Sequence, residues 1–369
     1  MEEKYMKRAI ELANMGKGFV NPNPLVGAVI VKDGKIIGEG YHECFGHAHA
    51  EVNAFLNATE DVTGADIYVT LEPCSHYGKT PPCALKIIEK KIKRVFISQL
   101  DPNPLVNSKG VKLLEDAGIL VESGILEEET KAQNEIFLKY IQTKKPFVAM
   151  KYAMTLDGKI ATKSRDSKWI TNEKSRKFVH ELRNQYMSIM VGVGTVIADD
   201  PSLDTRRDQP SRNPIRIVID PKLEIPLDSK IIKTAKEIQT IVVAGMDTNE
   251  TRIKKIRELG VEVLQKQANP NIDLESLLVD LGEKKIDSVL IEGGSFLHGQ
   301  ALLSNILDKA YIFIAPKMIG GKDALTPVGG NGIDAMKEAI QLSQIKYHYF
   351  DEDIMIEGNF TKYNTGETK

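Results

Sequence analysis

Cysteine is scarce in this sequence: Cys44, Cys74 and Cys83 are the three among 369 residues. An odd, sparse set does not make the disulfide framework of a secreted protein, so a reducing compartment is expected, with thiols free for a metal. Long apolar runs are missing too. No stretch of about 18 apolar residues occurs, which leaves no membrane-spanning helix. The N-terminus, "MEEKYMKRAIELANMGKG", scatters charges among its apolar residues and has no secretory h-region. A cytoplasmic protein with no membrane partner is the expectation. No surplus of one charge exists either: 49 basic residues stand against 51 acidic, a net of −2. A general nucleic-acid binder is usually more basic, so no nucleic-acid partner is expected. The chain shows no internal repeat and no low-complexity tract.

What is present is ordinary globular material, 42% hydrophobic and 27% charged, in a length that suggests two domains. Residues 4–15 read as an amphipathic helix ended by Gly16. "LVGAVIVKDGKIIGEGY" reads as two strands joined by Asp33-Gly34, a strong hairpin signal. Helices and strands then alternate. Residues 50–58 are helical in pattern, "DIYVTLE" a strand, "PCALKIIEKKI" a helix, "RVFISQL" a strand and "GVKLLEDAG" a helix. This alternation argues for an α/β layer fold with parallel pairing. Residues 126–143 are polar and helical in pattern and read as a connector, which puts a boundary near Lys144 and domains at 1–144 and 145–369. The second half starts afresh with β-rich runs ("FVAMKYAM", "SIMVGVG", "IRIVID", "IQTIVVAG", "VEVLQ", "SVLIEGG"), most separated by helical stretches. It finishes on two strands around "FDED".

Two stretches of the first half carry metal-ligand chemistry. "HAHAEVNAFLNA" holds His49 and Glu51 where a helix begins, and "EPCSHYGKTPPC" holds Cys74 and Cys83. One imidazole and two thiolates are a common zinc set that leaves the fourth position to water. Cys83 follows Pro81-Pro82, which favours a helix start, and a helix N-terminus lowers a thiol pKa. The same residue types also suit a buried thiol pair beside a solvated histidine. A structural zinc with a fourth ligand from His42, Cys44, His47 or His76 is a third reading.

The pattern H-x-E followed by P-C and a second Cys resembles the zinc nucleoside and nucleobase deaminases. Eight residues, rather than two, separate Cys74 from Cys83. Together with "NPNPLVGAVIV" and "GYHECFGHAHAE", that spacing resembles the deaminase of riboflavin biosynthesis. "DPNPLVNSKG" resembles the same family, with Ser108 where glycine is usual. The likeness covers residues 1 to about 125. It implies one zinc on His49, Cys74 and Cys83, and Glu51 as the proton shuttle between water, a ring nitrogen and departing ammonia. Such a shuttle is worth roughly 10²–10⁴ in rate. It also implies a substrate pocket lined by Asn23, His42, His76 and Lys79. Cys44 lies outside the family pattern and reads as a bystander thiol, His47 as a surface residue.

In the second half, "VGVGTVIADDPSLDTR" fails as a dinucleotide fingerprint, because Ile197 stands where the third glycine belongs. "SVLIEGGSFLHGQALL" is a better candidate: a strand runs into Gly293-Gly294 and a helix, where backbone N–H groups can approach a phosphate. With "PFVAMKYAMTLDGKIAT" and "SKWIT", these segments resemble the pyrimidine reductase of the same pathway over residues 146 to about 360. The resemblance implies an α/β chain with an N-terminal cytidine-deaminase-like α/β/α domain and a C-terminal dihydrofolate-reductase-like domain. It implies NADPH against Ala153, Trp169, Thr195, Asp199, Gly293 and Gly294, and substrate against Ser167, Arg183, Leu203, Arg206 and Glu292. Arg183 and Arg206 are the cations expected at a 5′-phosphate. The expectation is a bifunctional enzyme that deaminates a phosphorylated diamino-pyrimidinone ribosylamine and then reduces its ribosyl group to ribityl, as a homo-oligomer. The rival readings are an RNA-editing deaminase with a reductase-like appendage and a non-catalytic zinc scaffold.

Overall fold

The computed structural model describes residues 2–75, 77, 81–102 and 108–361. The chain forms two compact units, Met1–Lys144 and Lys145–Lys369. No described helix is long and apolar enough to cross a membrane.

The first unit comprises α1 (Glu2–Asn14), β1 (Gly27–Lys32), β2 (Lys35–Tyr41), α2 (Ala50–Leu56), β3 (Asp66–Leu71), α3 (Cys83–Glu89), β4 (Arg94–Gln99), α4 (Lys109–Asp116), β5 (Leu120–Ser123), α5 (Glu127–Gln133) and α6 (Glu135–Thr143). Its sheet has the order β2-β1-β3-β4-β5. β1 pairs antiparallel with β2 and β3, whereas β3, β4 and β5 run parallel. Asp33 and Gly34 turn the hairpin at φ 49° and 76°, as a two-residue primed turn requires. Alternation along β1 feeds two cores. Ala28 and Ile30 join Ala50, Ala54, Ile87 and Leu114 on one face; Val29 and Val31 join Tyr5, Met6, Ala9 and Leu12 of α1 on the other. Both helix contacts are made at glycines. A Cβ on Gly27 would lie 2.0 Å from the Ala9 carbonyl oxygen, and one on Gly40 would lie 2.3 Å from the Ala54 nitrogen. Close approach at Gly40 seats α2 on the sheet.

The segment read as a polar connector is part of this unit's fold. It is two helices, α5 and α6, meeting at Asn134, which is 2% exposed. The Asn134 side chain accepts from the Leu25 N–H at 2.8 Å and donates to the Leu25 carbonyl at 3.0 Å.

The second unit comprises β6 (Phe147–Thr155), α7 (Glu173–Gln185), β7 (Ser188–Gly192), α8 (Val193–Asp199), β8 (Ile215–Ile219), α9 (Lys230–Lys233), β9 (Thr240–Gly245), α10 (Glu250–Glu258), β10 (Glu262–Lys266), α11 (Leu274–Glu283), β11 (Ser288–Gly293), α12 (Ser295–Leu303), β12 (Lys309–Ala315), β13 (Leu342–Phe350) and β14 (Asp353–Phe360). The sheet order is β10-β9-β8-β7-β11-β6-β12-β14-β13. It is parallel from β10 to β12; β14 then pairs antiparallel with β12 and β13. Helices cover both faces of the parallel part, so β9 is buried along its whole length and its sequence is continuously apolar. α11 and α12 pack on one face, and α8, α9 and α10 on the other. Arg216 of β8 is wholly buried. Its five N–H groups meet neutral oxygens of Ser202, Ile231, Thr234, Ile238 and Thr240. The buried charge is tolerated there because every donor is satisfied.

Candidate functional site

In the first unit, His49 caps α2 in an extended conformation and Cys83 opens α3. The His49 Nδ1 lies 3.3 Å from the Cys83 Sγ and 3.7 Å from the Cys74 Sγ. All three ligand atoms fall within 4.8 Å of one another. Tetrahedral zinc, with bonds of about 2.0–2.3 Å, keeps such atoms about 3.5–3.8 Å apart, so the donor set fits that ion. The Cys83 thiol and backbone N–H both donate to the Cys74 sulfur, and the His49 ring adds to them, which brings the Cys74 thiol down to about 4. Cys83, the donor of the pair, is pushed up. Glu51 follows His49 by two residues in the first turn of α2 and is 3% exposed. Burial, and then the Cys74 thiolate, raise its carboxyl to about 7.

Among the described residues, no fourth protein ligand joins the cluster. His47 is exposed and Cys44 lies outside the group. Both His42 nitrogens have partners: Nδ1 lies 3.0 Å from the Ala48 carbonyl and Nε2 3.2 Å from the Asn23 Nδ2. A carbonyl only accepts, so Nδ1 carries the hydrogen, and Nε2 accepts from Asn23. Burial lowers the His42 pKa and favours this neutral ring. His76 and Lys79 lie outside the described residues.

A cleft of about 210 Å³ opens beside the triad, and Asn23, His42 and Glu51 line it. It also takes Glu72, Phe137 and Ile141, which sequence reasoning missed. Glu72 follows β3 and accepts backbone N–H groups from Asp101, Ser108, Gly110 and Val111 at 2.9–3.4 Å. It thereby ties the start of α4 to the cleft. The signal available was its place just before Pro73-Cys74.

In the second unit, Arg183 of α7 grips Glu292 of β11 with two bonds, Nε to Oε1 at 2.7 Å and Nη2 to Oε2 at 2.9 Å. Its Nη1 donates to the Asp204 carbonyl at 3.0 Å. Three of the five Arg183 N–H groups are thus occupied, and its charge is shared with Glu292. Arg206 is exposed, 3.4 Å from Asp204, and donates its backbone N–H to the His180 Nδ1. Lys151 of β6, which sequence reasoning also missed, stands 3.8 Å from Glu292. A single lysine in "FVAMKYAM" carries no motif. Burial alone would raise the Glu292 carboxyl; Arg183 and Lys151 outweigh it and bring it down to about 2.

The remaining candidates lie on several elements of the second unit. Thr195 of α8 meets the turn after β11, since a Cβ on Gly294 would lie 3.2 Å from its Oγ1. Trp169 is 63% exposed, with the Arg176 guanidinium 4.6 Å from its ring and the Lys317 ammonium on its carbonyl at 2.7 Å. Ala153 is half-buried on β6, Ser167 half-buried before Trp169, and Asp199 exposed at the end of α8. The Leu203 side chain is buried in the core, so its main chain is what remains for a ligand.

Residues 1–99 match the cytidine and deoxycytidylate deaminase zinc-binding region, and residues 146–356 match the RibD C-terminal domain. The riboflavin biosynthesis protein RibD of Actinobacillus pleuropneumoniae is 52% identical, over 96% of this chain and 94% of its own length. That of Escherichia coli strain K12 is 37% identical over 96% and 98%. Among solved structures, a diaminohydroxyphosphoribosylaminopyrimidine deaminase/5-amino-6-(5-phosphoribosylamino)uracil reductase from Thermotoga maritima superposes with a TM-score of 0.86 at 40% identity. Acinetobacter baumannii RibD, in its form 1, gives 0.88 at 36%. The Thermotoga and Acinetobacter matches each cover 98% of this chain and 99% of the other. By motif, by fold and along almost its whole length, this chain belongs to the RibD family of bifunctional deaminase/reductases of riboflavin biosynthesis.

Proposed function

We propose that the two reactions divide between residues 1–144, which deaminate a phosphorylated diamino-pyrimidinone ribosylamine, and residues 145–369, which reduce the ribosyl group with NADPH. The observation that carries the first half is the convergence of His49 Nδ1 and two thiol sulfurs beside the buried Glu51. His49, Cys74 and Cys83 hold zinc, whose Lewis acidity makes water a nucleophile near neutral pH. Glu51 is the nearby carboxylate of the cleft. It carries one proton from the attacking water to the ring nitrogen, then the second, from the hydroxyl now on the ring carbon, to the departing amine as the C–N bond breaks and the carbonyl forms. Asn23 orients the pyrimidine. One of its amide hydrogens is given to His42, which leaves its oxygen and other hydrogen directed by the Ala48–His42–Asn23 chain. His42 therefore acts through Asn23.

In the second unit, NADPH supplies the hydride. Ala153, Trp169, Thr195, Asp199 and the Gly293–Gly294 turn are its contacts, and Ser167, Leu203, Arg206 and Glu292 those of the pyrimidine. Arg206 is the accessible cation for the 5′-phosphate, and Arg183 holds Glu292 in place. Incubation of the zinc-loaded protein with the diamino-pyrimidinone and NADPH, with ammonia and nicotinamide absorbance followed separately, tests both halves. Ammonia release should precede NADPH oxidation. Oxidation without ammonia release would break the assignment of the first unit.

A further inference from the structure

We infer that Phe137 and Ile141 of α6 are the specificity wall of the deaminase cleft, an apolar platform against which the pyrimidine ring lies. The inference rests on the deaminase reading above and deepens it. A planar ring has a polar edge and two apolar faces. Glu51, Asn23 and the zinc ligands serve the edge; a face needs an aromatic or aliphatic neighbour. Phe137 and Ile141 both line the cleft. Four residues apart, they share one face of α6.

Two further observations support the assignment. α6 is apolar in five of its nine residues yet buries none of them fully, so the core leaves part of its apolar surface free. Its start is also fixed to the substrate side of the cleft. The buried Asn134 clamps Leu25 through both backbone groups, and Asn23, Pro24 and Val26 on either side of Leu25 line the same cleft. The ring-facing helix and the ring-orienting amide are therefore held in one register by two buried hydrogen bonds. Residues 100–145 lie between the two regions matched by family models, so neither match gives this wall a role.

The test uses the full-length, zinc-loaded protein and the variants Phe137→Ala, Phe137→Leu and Ile141→Ala. Ammonia release from the diamino-pyrimidinone ribosylamine phosphate gives the deaminase KM and kcat; zinc content and the reductase rate on deaminated substrate are measured alongside. Phe137→Ala should raise the deaminase KM about 10-fold, the loss of one ring stack, with kcat little changed. Phe137→Leu should fall between Ala and wild type, and Ile141→Ala should give a smaller rise. Zinc content and reductase rate should not move. A zinc-replete Phe137→Ala with unchanged KM overturns the proposal, and so does a loss of zinc and kcat with KM unmoved, because α6 would then only support the fold. Should Phe137→Ala fail to fold, Phe137→Leu and Ile141→Ala decide by the same readouts. A wild-type chain that releases no ammonia refutes the deaminase reading itself, and the wall with it.

Discussion

Ser108 sits at φ 61°, in the left-handed region, while its N–H donates to Glu72. The resembling family has glycine here, and the backbone explains why: a Cβ is disfavoured at this φ, whereas the N–H that Glu72 needs is common to both residues. Ser108→Gly should raise the stability of the first unit by about 0.5–1 kcal/mol, read from denaturant unfolding; a loss would contradict the strain. At the zinc cluster, Cys83→Ser should strip the metal and Cys44→Ser should leave it, with zinc per chain measured after dialysis. Equal loss from both would mean that the ligand set is misassigned. His49, Glu51, Cys74 and Cys83 could be picked out of the sequence because two short motifs carry them. Glu72, Lys151 and Phe137 could not. Each is a common residue whose role comes from what the fold sets beside it: four backbone N–H groups, a buried carboxylate, and a cleft.

Strands were the most readable elements. Continuous apolarity along β1 and β9 reflects burial on both faces directly. The Asp33-Gly34 turn was readable because its φ values demand those residues. The α5–α6 segment was misread for a physical reason. Its charges cluster in α5, where Glu127, Glu128 and Glu129 fill the first turn, and its two deeply buried residues, Thr130 and Asn134, are both polar. No count of apolar positions detects an amide that is buried to satisfy another segment's backbone. Asn134→Ala should cost roughly 2 kcal/mol, since the Leu25 N–H and carbonyl both lose their partner. Heating should then abolish deaminase activity at a lower temperature than in the wild type, while the thermal profile of the reductase stays put. If both activities fell together, the effect would not be local to the first unit.

At the scale of the molecule, the expectation of an α/β chain with a deaminase-like and a reductase-like part holds, and each part has its own sheet and its own cores. Residues 145–369 expressed alone should fold and bind NADPH, as read from enhanced nicotinamide fluorescence. An unfolded fragment would show that the two parts depend on each other. The position of α6 also sets the terms on which a gene for this chain could be divided. A break placed before α6 would leave the first polypeptide without the helix that lines its cleft. A break placed after Phe147 would cut β6, which lies between β11 and β12 in the second sheet. Only Lys144, Lys145 and Pro146 lie between these two losses, so a fission or a domain swap with another family member has a window three residues wide.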